Sequence, residues 1–296
     1  MGFFKTLFTG KEETEEEKQE QKVKNQFDVF KYDGIQAQRI GRMDYALECY
    51  KRALDLQDDT ETRMIYANAL MSMDNLEAAA EQLEKVREKT PEDLNVLLPL
   101  AELYFQMEQY EPMETLCNAA LQVNDSVAAT HYLMAKMYKA KGDMINAVAQ
   151  CTLAISKQQE APYAEAYYLR AQLLMEMQQF TEAEADIDVV LSLDEENDEY
   201  LMLKGECCEA LQRPEEAKEY YLKVKELNPY ITKAYIRLGA ILMAEGKKEE
   251  AAKIVEEGLQ LAPEELKNVN GEYSNVEQEM RDAYKAMDPL GFNVGI

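Results

Sequence analysis

Residues 232–263 read TKAYIRLGAILMAEGKKEEAAKIVEEGLQLAP, and the spacing of a few small side chains in this stretch decides the fold. Gly239 lies inside an apolar helical pattern, and Ala251 follows twelve residues later, with Val255 four further on and Gly258 three beyond that. Spacings of 4 and 3 put Ala251, Val255 and Gly258 on one face of a helix, whereas Gly239 belongs to a helix before it. Gly246 separates the two. Pro263 stands where the second helix must stop, because its ring has no N–H to continue the ladder. The stretch predicts a helical hairpin in which small residues let two backbones approach and a larger neighbour fills the space beside them.

The same pattern recurs along the chain. Gly34, Ala67, Ala101, Ala135, Ala171, Gly205 and Gly239 follow one another at intervals of 33, 34, 34, 36, 34 and 34 residues. Twelve residues after each come Ala46, Ala79, Met113, Ala147, Ala183, Ala217 and Ala251; four further on stand Tyr50, Leu83, Cys117, Cys151, Ile187, Tyr221 and Val255. Gly142 in Ala140-Lys141-Gly142-Asp143 separates two helices as Gly246 does, and Pro91 and Pro229 close second helices as Pro263 does.

These residues strongly resemble the tetratricopeptide repeat (TPR) family. Gly34, Gly41, Ala46, Tyr50 and Ala53, then Ala135, Tyr138, Gly142, Ala147 and Ala154, then Gly239, Gly246, Ala251 and Pro263 reproduce its pattern at its period. The resemblance implies an all-α fold, a right-handed superhelical solenoid of antiparallel helix pairs. Seven units over residues 27–265 begin near Phe27, Thr60, Leu94, Ala128, Ala164, Asp198 and Thr232. Residues 1–26 precede them as an apolar patch with an acidic linker or helix, and residues 266–296 follow as a capping helix and apolar tail. Departures are local: Met113 replaces a small residue, Pro99 falls within a first helix, and Pro162-Tyr163 make a two-residue insertion. A wider joint is expected there, between the fourth and fifth units.

At the C-terminal end, Ser274-Asn275-Val276-Glu277 reads as a capping box, and Val276, Met280, Tyr284 and Met287 form the stripe of a helix that would cover the last unit. The tail from Asp288 to Ile296 either packs back on that helix or docks Phe292 and Ile296 into a groove. At the other end, residues 11–24 hold six Glu and four Lys with Val23 alone apolar, a solvated helix or linker. Phe3, Phe4, Leu7 and Phe8 ahead of it share one helical face, which favours docking on protein over a weak membrane contact.

A net charge of −25 excludes nucleic acid as a partner, because a phosphate backbone demands clustered Lys and Arg. Five cysteines without Cys-x-x-Cys spacing read as reduced, buried thiols. No run of about 18 apolar residues is present, and the chain is expected to be cytoplasmic. With a single His, His131, no zinc-type cluster or Ser-His-Asp arrangement can be drawn, and no phosphate-binding Gly-rich loop occurs. No enzyme activity and no cofactor are expected.

The resemblance also implies a concave groove lined by the second, fifth, ninth, twelfth and thirteenth positions of each unit. At the fifth stand Lys31, Met64, Leu98, Tyr132, Tyr168, Met202 and Ile236; at the twelfth, Gln38, Met71, Phe105, Lys139, Met175, Glu209 and Met243. Ten of these fourteen are apolar or aromatic, a stripe of the kind that marks an interaction site. Asn68 and Lys136 join it at ninth positions. Glu102, Glu165, Glu176, Glu199, Glu206 and Glu209 lean the face acidic, while Lys136 and Lys139 make one basic spot beside Tyr132. The expected partner is a protein or peptide with apolar anchors and basic flanks. A homo-oligomer built through either terminal segment is the alternative. Lys233 and Arg237 match two of the five places of the family's carboxylate clamp, where Tyr168, Gln172 and Leu203 occupy the others, and so offer a possible carboxylate contact.

Overall fold

A computed structural model describes residues 14–158 and 161–261. The amphipathic capping helix, the apolar tail and the Phe3 to Phe8 patch expected from the sequence lie outside the described residues. Among the described residues there are fourteen helices and no strand. The chain divides into two compact units, residues 1–126 and 127–296.

The first unit holds α1 (Glu15–Arg39), α2 (Met43–Leu56), α3 (Thr60–Ser72), α4 (Leu76–Lys89), α5 (Leu94–Gln106) and α6 (Tyr110–Val123). The second holds α7 (Ala128–Ala140), α8 (Met144–Ser156), α9 (Ala164–Glu176), α10 (Phe180–Leu193), α11 (Asp198–Ala210), α12 (Pro214–Leu227), α13 (Thr232–Ala244) and α14 (Lys248–Leu261). Each odd helix pairs with the even helix that follows, giving seven hairpins. Inside each unit, successive hairpins stack through the even helix of one and the odd helix of the next.

α1 is the exception in length. It runs through Phe27 without a break, and its added N-terminal turns are exposed. Thr14 and Glu17 close a reciprocal capping box at its start: the Thr14 hydroxyl accepts from the Glu17 N–H at 3.2 Å, and the Glu17 carboxylate accepts from the Thr14 N–H at 2.7 Å.

The turns inside the hairpins share one backbone device. Gly41, Gly142 and Gly246 take φ near +75 to +78°, the left-handed conformation that ends a helix, where glycine carries no side-chain penalty. Asp74, Glu108, Gln178 and Gln212 adopt it in the other four hairpins at φ of 57 to 60°. The hairpin geometry therefore prevails over the local preference of those four residues.

The packing of each pair turns on the small residue of the odd helix. A Cβ added to Gly34 would lie 2.6 Å from the Tyr50 ring, and one added to Gly205 would run into the Tyr221 ring. Where alanine replaces glycine, the facing residue shrinks to Leu83, Cys117, Cys151 or Ile187. The last hairpin reverses the arrangement, with Tyr235 of α13 against Gly258 of α14. Tyr50, Tyr221 and Tyr235 are among the largest fully buried side chains.

The wider joint expected at the two-residue insertion is absent. α8 and α9 belong to one unit, and Cys151 shares a core cluster with Leu169 and Leu173. Arg170 donates to the Thr152 hydroxyl at 3.0 Å across the same boundary, and the Tyr163 N–H donates to Gln158 Oε1 at 3.0 Å, so the extra residues are absorbed locally. The division of the chain falls instead between α6 and α7. His131 is buried, its Nδ1 2.9 Å from Gln150 Oε1 of α8. Pro99 sits inside α5, where the chain forgoes one ladder hydrogen bond.

Two expectations follow. Gly205→Ala should lower stability by about 2 kcal/mol by overpacking the Tyr221 ring. Adding Tyr221→Leu, which copies the Ala67/Leu83 pair, should restore most of that loss; purely additive losses in a double-mutant thermal-unfolding cycle would sink the pairing rule. Asp59 caps α3 by accepting from the Thr62 N–H at 2.8 Å and the Thr62 hydroxyl at 2.6 Å. Burial pushes its carboxyl up, but Thr62 and the Lys31 ammonium outweigh that and hold it below the usual carboxylate range. A depressed folded pKa contributes stability above the unfolded value, and that stability is lost as pH falls through the folded one. Asp59→Ala should thus cost about 1 kcal/mol at neutral pH, a penalty that shrinks below about pH 4 in urea titrations.

Candidate functional site

The odd helices carry the expected groove positions, and each unit has its own set of them. In the first unit, α1, α3 and α5 contribute Lys31, Gln38, Met64, Asn68, Met71, Leu98 and Phe105. Met64, Met71, Leu98 and Phe105 are half-buried and Asn68 is exposed. The Phe105 ring lies 6.2 Å from that of Tyr110. Lys31 does not offer a free charge: its ammonium lies 2.6 Å from Glu61 and 3.2 Å from Asp59. Burial lowers its pKa, but those two carboxylates more than compensate and it stays charged.

In the second unit the face is aromatic and ionic. Tyr132 of α7 is half-buried, with its ring 5.3 Å from that of Tyr163 and the Lys136 ammonium 5.9 Å above it. Tyr168 of α9 pairs with Tyr200 of α11 at 5.0 Å. Burial, followed by the nearby Glu199 carboxylate, pushes the Tyr168 hydroxyl up to about 12, so it remains a neutral donor. Lys139 is held by Gln172 Oε1 at 3.0 Å. Met175, Ile236 and Met243 are half-buried.

Met202 departs from its expected place. It is only 7 % exposed and joins the core cluster of Leu201, Ala234 and Leu238, where its flexible side chain fills space between α11 and α13. Lys233 and Arg237 are already engaged: the Lys233 ammonium lies 2.5 Å from Glu206, and Arg237 Nε lies 3.3 Å from Glu209. A carboxylate ligand there would compete with both. Burial raises the Glu209 pKa against the pull of Arg237, and the Tyr221 hydroxyl donates to the same carboxylate.

That last contact exposes a rule the sequence reading missed. Tyr50 donates to Gln38 Oε1 at 2.7 Å exactly as many residues apart as Tyr221 is from Glu209. Both acceptors occupy twelfth positions. A buried tyrosine needs a partner for its hydroxyl, so a polar residue stands at the twelfth position in the two units where a Gly of the odd helix faces a Tyr of the even one. The signal was legible as the co-occurrence of Gly34, Gln38 and Tyr50 with Gly205, Glu209 and Tyr221. Gln38 and Glu209 are therefore anchored by the core.

Among the described residues no group of three or more His, Cys, Asp or Glu could hold a metal ion, and no helix is long and apolar enough to cross a membrane. All five thiols are buried. Burial pushes Cys117 and Cys151 up to about 12 and Cys207 to about 11, which keeps them protonated and unreactive at neutral pH.

Profiles described as tetratricopeptide repeat match residues 70–137, 168–230 and 232–265. The TPR repeat-containing protein YpiA of Bacillus subtilis is 28 % identical over 211 residues, covering 69 % of this chain and 49 % of that protein. The chain thus spans about half the length of that relative. A tetratricopeptide repeat protein from Parabacteroides merdae superposes with a TM-score of 0.62 at 14 % identity, over 89 % of this chain and 99 % of that one. YrrB, described as a TPR protein with an unusual peptide-binding site, gives 0.54 at 20 % identity, over 62 % of this chain and 94 % of that one. The repeated small residues, the seven helix pairs and these matches agree: the chain belongs to the tetratricopeptide repeat family.

Proposed function

We propose that the chain is a non-enzymatic interaction scaffold whose odd-helix face in the second unit holds a peptide or short helix of a partner protein. Apolar side chains of the ligand rest against Tyr132, Tyr168, Met175, Ile236 and Met243. Its basic flanks meet Glu165, Glu176 and Glu199, and one acidic group meets Lys136 and Lys139. The fold supports the general part of this reading, since TPR arrays serve as scaffolds for protein contact. YrrB is described by its peptide-binding site, which favours a peptide as the ligand class.

The observation that carries the finer reading is the pair of tilted tyrosine contacts, Tyr132 with Tyr163 and Tyr168 with Tyr200, at 5.3 and 5.0 Å. Rings locked against one another have little rotamer freedom left to lose when a ligand docks, so their area converts efficiently into affinity. The charge left over sets the sign of the partner. Glu206 and Glu209 are matched by Lys233 and Arg237, whereas Glu165, Glu176 and Glu199 sit at exposed positions of α9 and α11. A ligand with Lys or Arg beside its apolar anchors fits that residue; one with acidic flanks is repelled.

The test uses fluorescent peptides of about twelve residues with aromatic and aliphatic anchors, in one set flanked by Lys and Arg and in the other by Glu. The basic set should bind with micromolar Kd, weakening several-fold as salt rises. Tyr132→Glu with Tyr168→Glu should abolish it. Equal binding of both sets, or unchanged binding by the double variant, would remove the reading.

A further inference from the structure

α8 differs from the other described helices in charge. Residues 144–156, MINAVAQCTLAIS, contain no Asp, Glu, Lys or Arg, and every other described helix has at least one. This occurs in a chain of net charge −25. The inner side of α8 is consumed by packing, with Ala147, Cys151 and Ala154 fully buried. Its outer side is bare: Ile145 is 74 % exposed and Leu153 40 %, and Ala149 and Ser156 between and beyond them are exposed. Spacings of 4 and 3 align these residues on one side of the helix.

α10 widens the uncharged strip with exposed Ala185 and Ser192 and half-buried Val189. Exposed Glu182 bounds the strip at the start of α10, and two further charged groups at its border are paired. Arg170 donates to both carboxylate oxygens of buried Asp186, at 2.8 and 2.7 Å, and Asp188 accepts from Lys204. The outer sides of α12 and α14 in the same unit instead present Glu219, Lys223, Lys253 and Glu256 to solvent.

We propose that the outer face of α8, widened by α10, is a two-fold interface between two copies of this chain. Two bodies of charge −25 repel, and contact that traps like charges away from water is costly. The approach is tolerable where the centre of the contact carries no charge, as on α8. A second copy supplies a matching uncharged face by identity, as an isologous interface requires, whereas a basic partner gains more on the acidic faces elsewhere. In an antiparallel crossing centred on Ala149, the small side chain lets the helices close, and Ile145 of one copy packs beside Leu153 of the other. A face two helices wide and ~20 Å long is at the small end of specific interfaces, roughly 1,000 Å² in total, so the dimer is a micromolar one.

Sedimentation velocity of the full chain, from about 5 to about 200 μM, tests this across the expected Kd range. The expected result is a monomer–dimer equilibrium that shifts toward dimer as salt rises, because screening removes the repulsion while the contact itself has no charge to screen. Ile145→Glu should weaken it at least tenfold, and Ile145→Glu with Leu153→Glu should leave a monomer with unchanged helical circular dichroism. Should that double variant lose helicity, Ala149→Arg at an exposed position decides in its place. A chain that stays monomeric throughout, a dimer that weakens with salt, or one that survives these substitutions overturns the proposal. So does a monomeric chain whose α8 face binds a different protein.

Discussion

The rest of the structure depends on how closely two helices in a pair can approach at one residue. Where that residue is Gly34 or Gly205, a whole tyrosine ring fits against the opposing backbone; where it is alanine, the facing side chain is Leu, Cys or Ile. Interiors packed to crystal-like density leave no slack for a mismatch of even one methyl group. The approach distance is set once per hairpin, and the stacking of the next hairpin inherits it. That is why the pattern repeats at a nearly constant interval even though the side chains between its fixed points vary freely.

The same contact reaches the twelfth position of the repeat. A tyrosine buried by the glycine carries its hydroxyl one turn further along the same face of the odd helix, where Gln38 or Glu209 accepts it. Hence these two polar residues are not independent of the core. Neighbouring odd helices are joined there by ionic contacts as well: Lys31 to Asp59 and Glu61 in the first unit, Lys233 to Glu206 and Arg237 to Glu209 in the second. Pairing consumes the basic side chains of the face first, which leaves the exposed carboxylates to set its character.

Acidity is distributed with the same economy. Most helices present charge to water, which keeps a long apolar array from self-association through arbitrary faces. α8 is the exception, and its uncharged outer side stands next to the buried Arg170–Asp186 pair. A face of that kind is a local choice of residues, since nothing in the hairpin geometry requires α8 to lack charge.

The sequence by itself determined the all-α class, the family and the seven-fold pairing of helices, because a recurrent small residue at a fixed interval is a direct imprint of backbone approach. Through the family resemblance it also named a candidate face. Only the tertiary structure decided which residues on that face are spent. Met202 withdrew into the core because α11 and α13 left a space its flexible side chain could fill, and Lys31, Lys233 and Arg237 found carboxylates on the next helix. The extra residues at Pro162-Tyr163 opened no joint because Arg170 and Gln158 tie α9 back to α8. Each of these outcomes rests on contacts between different helices or on space left by several side chains together, and periodicity along one helix records neither.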